Sequence, residues 1–308
     1  MNWLVIASGS DNDKLNKAKD FLLSKNGEDP NVILISENQD LEELQKNFRT
    51  VQKTTHCIVI GASSVFSSSD CIFLMGFLMG SQANLLIYDK KDDHLFEKLR
   101  DGRSLGFNSF TDFDTLLNFI DEKFEDFEQI ELERNSLISL FTMGIPFTAD
   151  SFAHYLEKEL QDVCQMFINA GMPVNAKTSE GVPMLNIATR AEHMDQVEWL
   201  IGLGADVNSI SGDRGYTAVM DAVWRKNYAL TEYYISKGAC LNVVSSDGQP
   251  ILVLAVGNGD EKIVKLLLDN GADPDLPDSM GMSARKYAGL FKKAAIVEIM
   301  EKYPPKEK

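Results

Sequence analysis

The chain has 308 residues, 44% of them apolar and 25% charged, with a formal net charge of −16. That composition belongs to globular domains, lacks the charge bias that keeps a chain disordered, and is long enough for two cores of ordinary size. A surface acidic throughout repels phosphate backbones and anionic headgroups, so nucleic acid and membrane are excluded as expected partners.

The four cysteines, Cys57, Cys71, Cys164 and Cys240, stand far apart, with no C-x-x-C pair and no histidine at a metal-ligand spacing. Neither a metal site nor a disulfide framework is expected, which fits a reducing cytoplasm. The first residues lack the basic segment, apolar run and cleavage site of a signal peptide. The most apolar stretch, 71–80, has about half the length needed to cross a bilayer and reads as a buried helix.

In chain order, residues 1–125 alternate apolar runs with amphipathic stretches. Strands are expected at 3–7, 32–35, 57–60, 85–88 and 105–107, and helices at 14–23, 40–48, 70–79, 94–99 and 112–120. Strands alternating with helices imply a parallel sheet covered on both faces, and five strands favour a flavodoxin-like order. In such sheets the ligand crevice lies beyond the carboxyl ends of the strands. Those ends carry Ser8, Gly9, Ser10 and Asp11, then Gly61, Ser63 and Ser64, with Asp70 opening the next helix. Glycines and hydroxyls there leave room and hydrogen-bonding groups for a small nucleotide or sugar. Turns after strands select the same residue types for conformational reasons alone, so both explanations stand. No G-x-G-x-x-G or G-K-[ST] element is present.

The strand ending in Gly61-Ala-Ser-Ser64, the loop Ser67-Ser-Ser-Asp70, the apolar helix and the strand Leu85-Leu-Ile-Tyr88 are similar to the core of the TIR and nucleoside deoxyribosyltransferase-like superfamily. The resemblance implies cleavage of N-glycosidic bonds by a glutamate on that helix, at the position held here by Leu74. A leucine can neither attack nor stabilise a sugar cation. No catalytic residue and no cofactor are therefore assigned, and Asp70 is weighed as a helix N-cap against a crevice group. The acidic run 121–128 leads into a connector expected at 126–136.

From residue 171 onward one pattern returns: Gly171-Met-Pro-Val-Asn175, Gly204-Ala-Asp-Val-Asn208, Gly238-Ala-Cys-Leu-Asn242 and Gly271-Ala-Asp-Pro-Asp275. The glycines step by 33, 34 and 33 residues. Gly181, Gly215, Gly248 and Gly281 keep the same phase, and Ala188, Ala222, Ala255 and Ala288 follow each by seven residues. Repeats of this period cannot bury their apolar faces alone and must stack. The first glycine ends a helix in the left-handed region, the second turns a hairpin tip, and the alanine marks close helix packing. The pattern resembles the ankyrin repeat and implies an all-α solenoid over 137–303. The family's Thr-Pro-Leu-His is replaced by Pro183-Met-Leu-Asn186, Thr217-Ala-Val-Met220, Pro250-Ile-Leu-Val253 and Ser283-Ala-Arg-Lys286, which removes a hydrogen-bonding device between repeats. Gly144 begins a shortened entry cap, 284–303 supplies the last pair with Lys286, Lys292 and Lys293 toward solvent, and 304–308 is a frayed tail.

What the ankyrin resemblance implies is a protein partner held on a concave strip of hairpin tips, 178–180, 212–214 and 245–247, and first-helix positions. By phase the strip includes Arg190, Asp213, Arg214, Tyr216, Trp224, Arg225 and Phe291. Trp, Tyr and Arg dominate binding energy at interfaces, and Trp224 leads the set. An intramolecular role stays open for each, the aromatics covering the stack and the arginines neutralising nearby acids. The alternative to an interaction protein is a nucleoside or NAD-type N-glycosidase, or a nucleotide sensor, that the repeats target or regulate.

Overall fold

The computed structural model describes residues 1–8, 11–35, 41–61, 69–81, 83–89 and 107–303, and of 41–45 and 69–73 the backbone alone. The chain divides into two compact units, Met1–Glu131 and Leu132–Lys308.

In the first unit, strands β1 (Trp3–Ser8), β2 (Asn31–Ile35), β3 (His56–Ile60), β4 (Asn84–Tyr88) and β5 (Phe107–Phe110) are all parallel, in the order β2-β1-β3-β4-β5. Helices α1 (Asn12–Asn26), α2 (Leu41–Val51), α3 (Ser69–Gly80) and α4 (Phe113–Thr142) alternate with them. Successive strand residues feed opposite faces. Val5, Ile58, Ile60 and Leu86 pack with Leu15, Leu22, Leu116 and Ile120 in one core. Leu4, Ile6, Cys57, Val59 and Leu85 pack with Val51, Leu74 and Leu78 in the other. Burial on both faces is why these strands read as continuous apolar runs rather than alternating ones.

The fifth strand lies a few residues beyond the expected 105–107. Its Phe-Asn-Ser-Phe sequence is half exposed at the sheet edge, so it carries little apolar signal. The helix expected at 94–99 lies outside the described residues. The helix expected at 112–120 continues without a break through the expected connector 126–136 as far as Thr142. Within the acidic run, Phe124 and Phe127 stay buried while the carboxylates around them face outward, which supports an amphipathic helix.

The second unit contains five helix pairs among its described residues. These are α5 (Ala149–Glu157) with α6 (Gln161–Asn169), α7 (Met184–Arg190) with α8 (Met194–Gly202), and α9 (Ala218–Trp224) with α10 (Tyr228–Ser236). The last two are α11 (Ile251–Asn258) with α12 (Glu261–Asp269), and α13 (Ala284–Leu290) with α14 (Ala294–Glu301). Each first helix packs on the next, α5 on α7, α7 on α9, α9 on α11 and α11 on α13. The four phased alanines are fully buried at these crossings, where a larger side chain would push the helices apart. Gly171, Gly204, Gly238 and Gly271 all have φ between 83° and 90°, the left-handed conformation that terminates each second helix. One core runs from Leu140 to Met300 through all five pairs.

The turn between the helices of each pair is also left-handed, at Glu159, Glu192, Lys226, Gly259 and Lys292, only one of which is glycine. At the end of the stack, Arg285 holds Asp275 through two hydrogen bonds of 2.9 and 3.1 Å and donates to the carbonyls of Met300 and Tyr303. Lys286 donates to the Gly281 carbonyl and Lys292 is exposed. Lys293 is half-buried rather than directed to solvent, its Nζ donating to the carbonyls of Val256 and Gly257.

Candidate functional site

At the carboxyl ends of β1 and β3 the sheet brings together three of the expected crevice residues, Ser8, Asp11 and Gly61. The Ser8 hydroxyl donates to Asp11 Oδ2 at 3.2 Å, and the Lys14 ammonium donates to Asp11 Oδ1 at 2.9 Å. Lys14 also stands 4.8 Å from the centre of the Tyr88 ring, a cation–π distance. Its pKa is raised, chiefly by the hydrogen bond to Asp11. Gly61 has φ +73°, and a Cβ there would lie 2.7 Å from Asp11 Oδ2. The strand ends are thus closed by a carboxylate, an ammonium and a hydroxyl bonded to one another. Lys14 escaped sequence reasoning because it lies one helical turn inside α1, away from the loop motif. Gly9, Ser10, Ser63, Ser64 and the side chain of Asp70 lie outside the described residues. Leu74 is 2% exposed and belongs to the hydrophobic core under the sheet.

In the repeats, the seven expected partner-binding residues fall into two groups. Arg190, at the end of α7, reaches the next unit: its Nη1 and Nη2 donate to the two Asp213 oxygens at 2.7 and 3.1 Å, and its Nε to Asp221 Oδ2 at 2.9 Å. Arg190 and Asp213 are consequently joined to each other. The Arg190 hydrogen bonds hold the Asp213 carboxyl well below the usual carboxylate range. Asp221, on the same guanidinium, shifts the other way, because its nearly complete burial outweighs the attraction of Arg190. Asn186, also buried, donates to the same Asp221 oxygen at 2.8 Å and to the Tyr216 carbonyl at 3.2 Å. It occupies the place of the histidine in Thr-Pro-Leu-His, so at this one boundary an inter-repeat hydrogen bond survives the substitution. At the corresponding place the later repeats carry Met220, Val253 and Lys286.

The second group is the more exposed, with Arg214 Nε 4.0 Å from Asp213 Oδ2. Trp224 is 50% exposed and Phe291 52%, against a repeat core in which nearly every other large apolar group on the first helices is buried. Phe291 stacks on Tyr287, ring centres 5.4 Å apart. Arg214 and Arg225 are exposed, and Tyr216 is half-buried beside its tip.

Sequence reasoning missed a ladder of asparagines that ties the units together. Asn175, Asn208 and Asn242 each accept from a backbone N–H of the following unit, at Asp206, Cys240 and Asp273, all at 2.8 Å. Each also donates to the carbonyl of that unit's first glycine. The signal was available: these asparagines keep the phase of the glycines, and the series changes to Asp275 in the fifth pair's loop, where Arg285 supplies the donors.

Among the described residues no group of three or more His, Cys, Asp or Glu is placed to hold a metal ion, and no helix is long and apolar enough to cross a membrane.

The family model for ankyrin repeats, in three copies, matches residues 219–304. An ankyrin repeat-containing protein of Treponema pallidum is 31% identical over 253 residues, covering 78% of this chain and 80% of its own length. That match is longer than the second unit, so the similarity extends into the parallel-sheet unit as well. Shorter similarities of 33% over 121 residues and 31% over 100 residues link the chain to two Caenorhabditis elegans proteins. The first is the ankyrin repeat and KH domain-containing protein mask-1, of which the match covers 4% against 36% of this chain. The second is BRCA1-associated RING domain protein 1, with 14% against 32%.

Proposed function

The chain belongs to the ankyrin-repeat-containing proteins, and from that premise we propose that it acts by holding a protein partner on one strip of its repeat solenoid. The observation that carries this reading is the contrast at the ends of the first helices: Trp224 and Phe291 are about half exposed while the alanines beside them are fully buried. Exposed indole and phenyl rings on a rigid stack bury large area with little loss of freedom when a partner arrives. The strip comprises Arg214, Tyr216, Trp224, Arg225 and Phe291, with Arg190 and Asp213 shaping it through their mutual ion pair.

The sheet unit is a flavodoxin-like module without catalysis, supported by the strand order β2-β1-β3-β4-β5 and by the burial of Leu74 where the resemblance reserves a glutamate. The protein works in the cytoplasm. The test compares the full chain with its Trp224→Ala/Arg225→Ala variant in affinity recovery from native lysate followed by mass spectrometry. Proteins recovered by the wild type are expected to be lost from the variant while circular dichroism stays unchanged. Undiminished recovery by the folded variant would overturn the strip.

A further inference from the structure

Trp224, Gly257 and Leu290 occupy one phase of the repeat, 33 residues apart each time, at the ends of three consecutive first helices. Arg225, Asn258 and Phe291 form the adjacent column at the same step. Hydrogen bonds lock the three ends side by side. The Asn258 amide donates back to the carbonyls of Val223 and Trp224, and the Lys293 ammonium to those of Val256 and Gly257. In the middle helix the side chain is missing: a Cβ on Gly257 would meet nothing within 4 Å beyond its chain neighbours and the backbone of its own helix. On either side stand Trp224, Leu290 and Phe291, exposed by 50, 64 and 52%. Repeat phase thus leaves an open position over Gly257, a notch in the row of side chains, with an exposed apolar residue of the unit before and two of the unit after in the flanking positions.

Its rim is basic in a chain whose net charge is −16. Arg225, Lys226 and Lys292 are exposed, and their side chains make no hydrogen bond or ion pair among the described residues, unlike those of Arg190 and Lys293. Cations at helix C-termini offset the helix macrodipole, a role Lys293 fills by direct contact with two carbonyls. The other three keep their charge for solvent. In the same turn of the middle unit, Asp260 is engaged with the backbone N–H groups of Lys262 and Ile263.

We propose that the notch over Gly257 takes one bulky apolar side chain, Leu, Phe or Trp, from a peptide segment whose flanking residues are acidic. This rests on the partner-binding reading above and narrows it to a ligand chemistry: an apolar anchor supplies the buried area, and flanking carboxylates meet Arg225, Lys226 and Lys292.

The experiment selects phage-displayed random dodecapeptides against the full chain and measures the consensus peptide by fluorescence anisotropy. Enriched sequences are expected to carry a bulky apolar residue between Asp or Glu residues. Gly257→Leu fills the notch. It should weaken the consensus peptide by about tenfold or more, and should raise the melting temperature, since leucine is the better helix former. Arg225→Gln/Lys292→Gln should weaken binding comparably and sharply reduce its dependence on salt. Enrichment of nothing, a consensus without acids or a bulky apolar residue, or affinity retained by Gly257→Leu overturns the proposal. Peptides that ignore Gly257→Leu yet are lost with Trp224→Ala overturn the notch alone and leave the strip standing. Peptides indifferent to both overturn the notch and the strip together.

Discussion

The strand ends of the sheet and the helix ends of the repeats both gather charged and aromatic groups, and the two regions use them in opposite ways. At the strand ends Asp11 is held by Ser8 and Lys14, Lys14 lies over Tyr88, and Gly61 leaves just enough room for the carboxylate. These groups satisfy one another. Along the repeats, Arg190 is likewise committed to Asp213 and Asp221, while in the following units Trp224, Leu290 and Phe291 stand exposed in the positions flanking Gly257. Chemistry-bearing residue types therefore identify a site only after their internal bonds are known. A residue already bonded within the fold shapes a surface, and an uncommitted one is free to contact a partner.

The largest effect expected from breaking this contrast is at the committed arginine. Arg190→Met leaves the almost fully buried Asp221 without its cationic partner, and should lower stability by about 3 kcal/mol in urea unfolding. The same network predicts a pH dependence. The folded pKa of Asp213 lies below its unfolded value, so its contribution is fully present above the ordinary aspartate range and is lost as pH falls through the folded value. Asp221 is shifted upward and contributes in the opposite sense. Arg190→Met should flatten the Asp213 part of the acid limb, measured as unfolding free energy against pH.

Next in size is the sheet. Gly61→Val forces a β-branched residue into φ +73° and a Cβ against Asp11, and should cost about 2 kcal/mol. An unchanged thermal transition would show that the Ser8–Asp11–Lys14 cluster is looser than its distances imply. Smaller again, Asn208→Ala removes the link from the second-unit loop to the Cys240 N–H and should cost about 1 kcal/mol, read by chemical denaturation. The smallest stability effect belongs to Trp224→Ala/Arg225→Ala. Both side chains are exposed, so unfolding should move by less than about 0.5 kcal/mol while partner binding is lost. A large loss of stability there would place Trp224 with the structural residues and erase the contrast.

The repeat period was fully legible in sequence because it rests on backbone conformations that only particular residues adopt cheaply, as at Gly171 and Gly204, and on crossings that only alanine fits. Strands β1, β3 and β4 were legible because burial on both faces demands unbroken apolar runs, and the edge strand β2 because it keeps a Val-Ile-Leu-Ile run although Ile33 alone is buried. The fifth strand was displaced because an edge strand needs no such run. The unbroken α4 was hidden because its acidic residues resemble a connector until Phe124 and Phe127 are seen to share a buried face.

By itself, the sequence determined the two kinds of architecture, the phase of every repeat, and the candidate residues at Trp224 and at the strand ends. These are local matters of propensity, periodicity and turn chemistry, readable within one repeat length. Tertiary structure alone decided which of those residues were already engaged. Asn186, Arg190 and Asp213 find their partners across a repeat boundary, and Asp11 meets Lys14 and Gly61 only once the sheet has formed. The open space over Gly257 and the exposure of Trp224, Leu290 and Phe291 in the flanking positions likewise appear only in the folded stack. A hydrogen bond or an empty space is a relation between positions brought together by folding, so no single stretch of sequence records it.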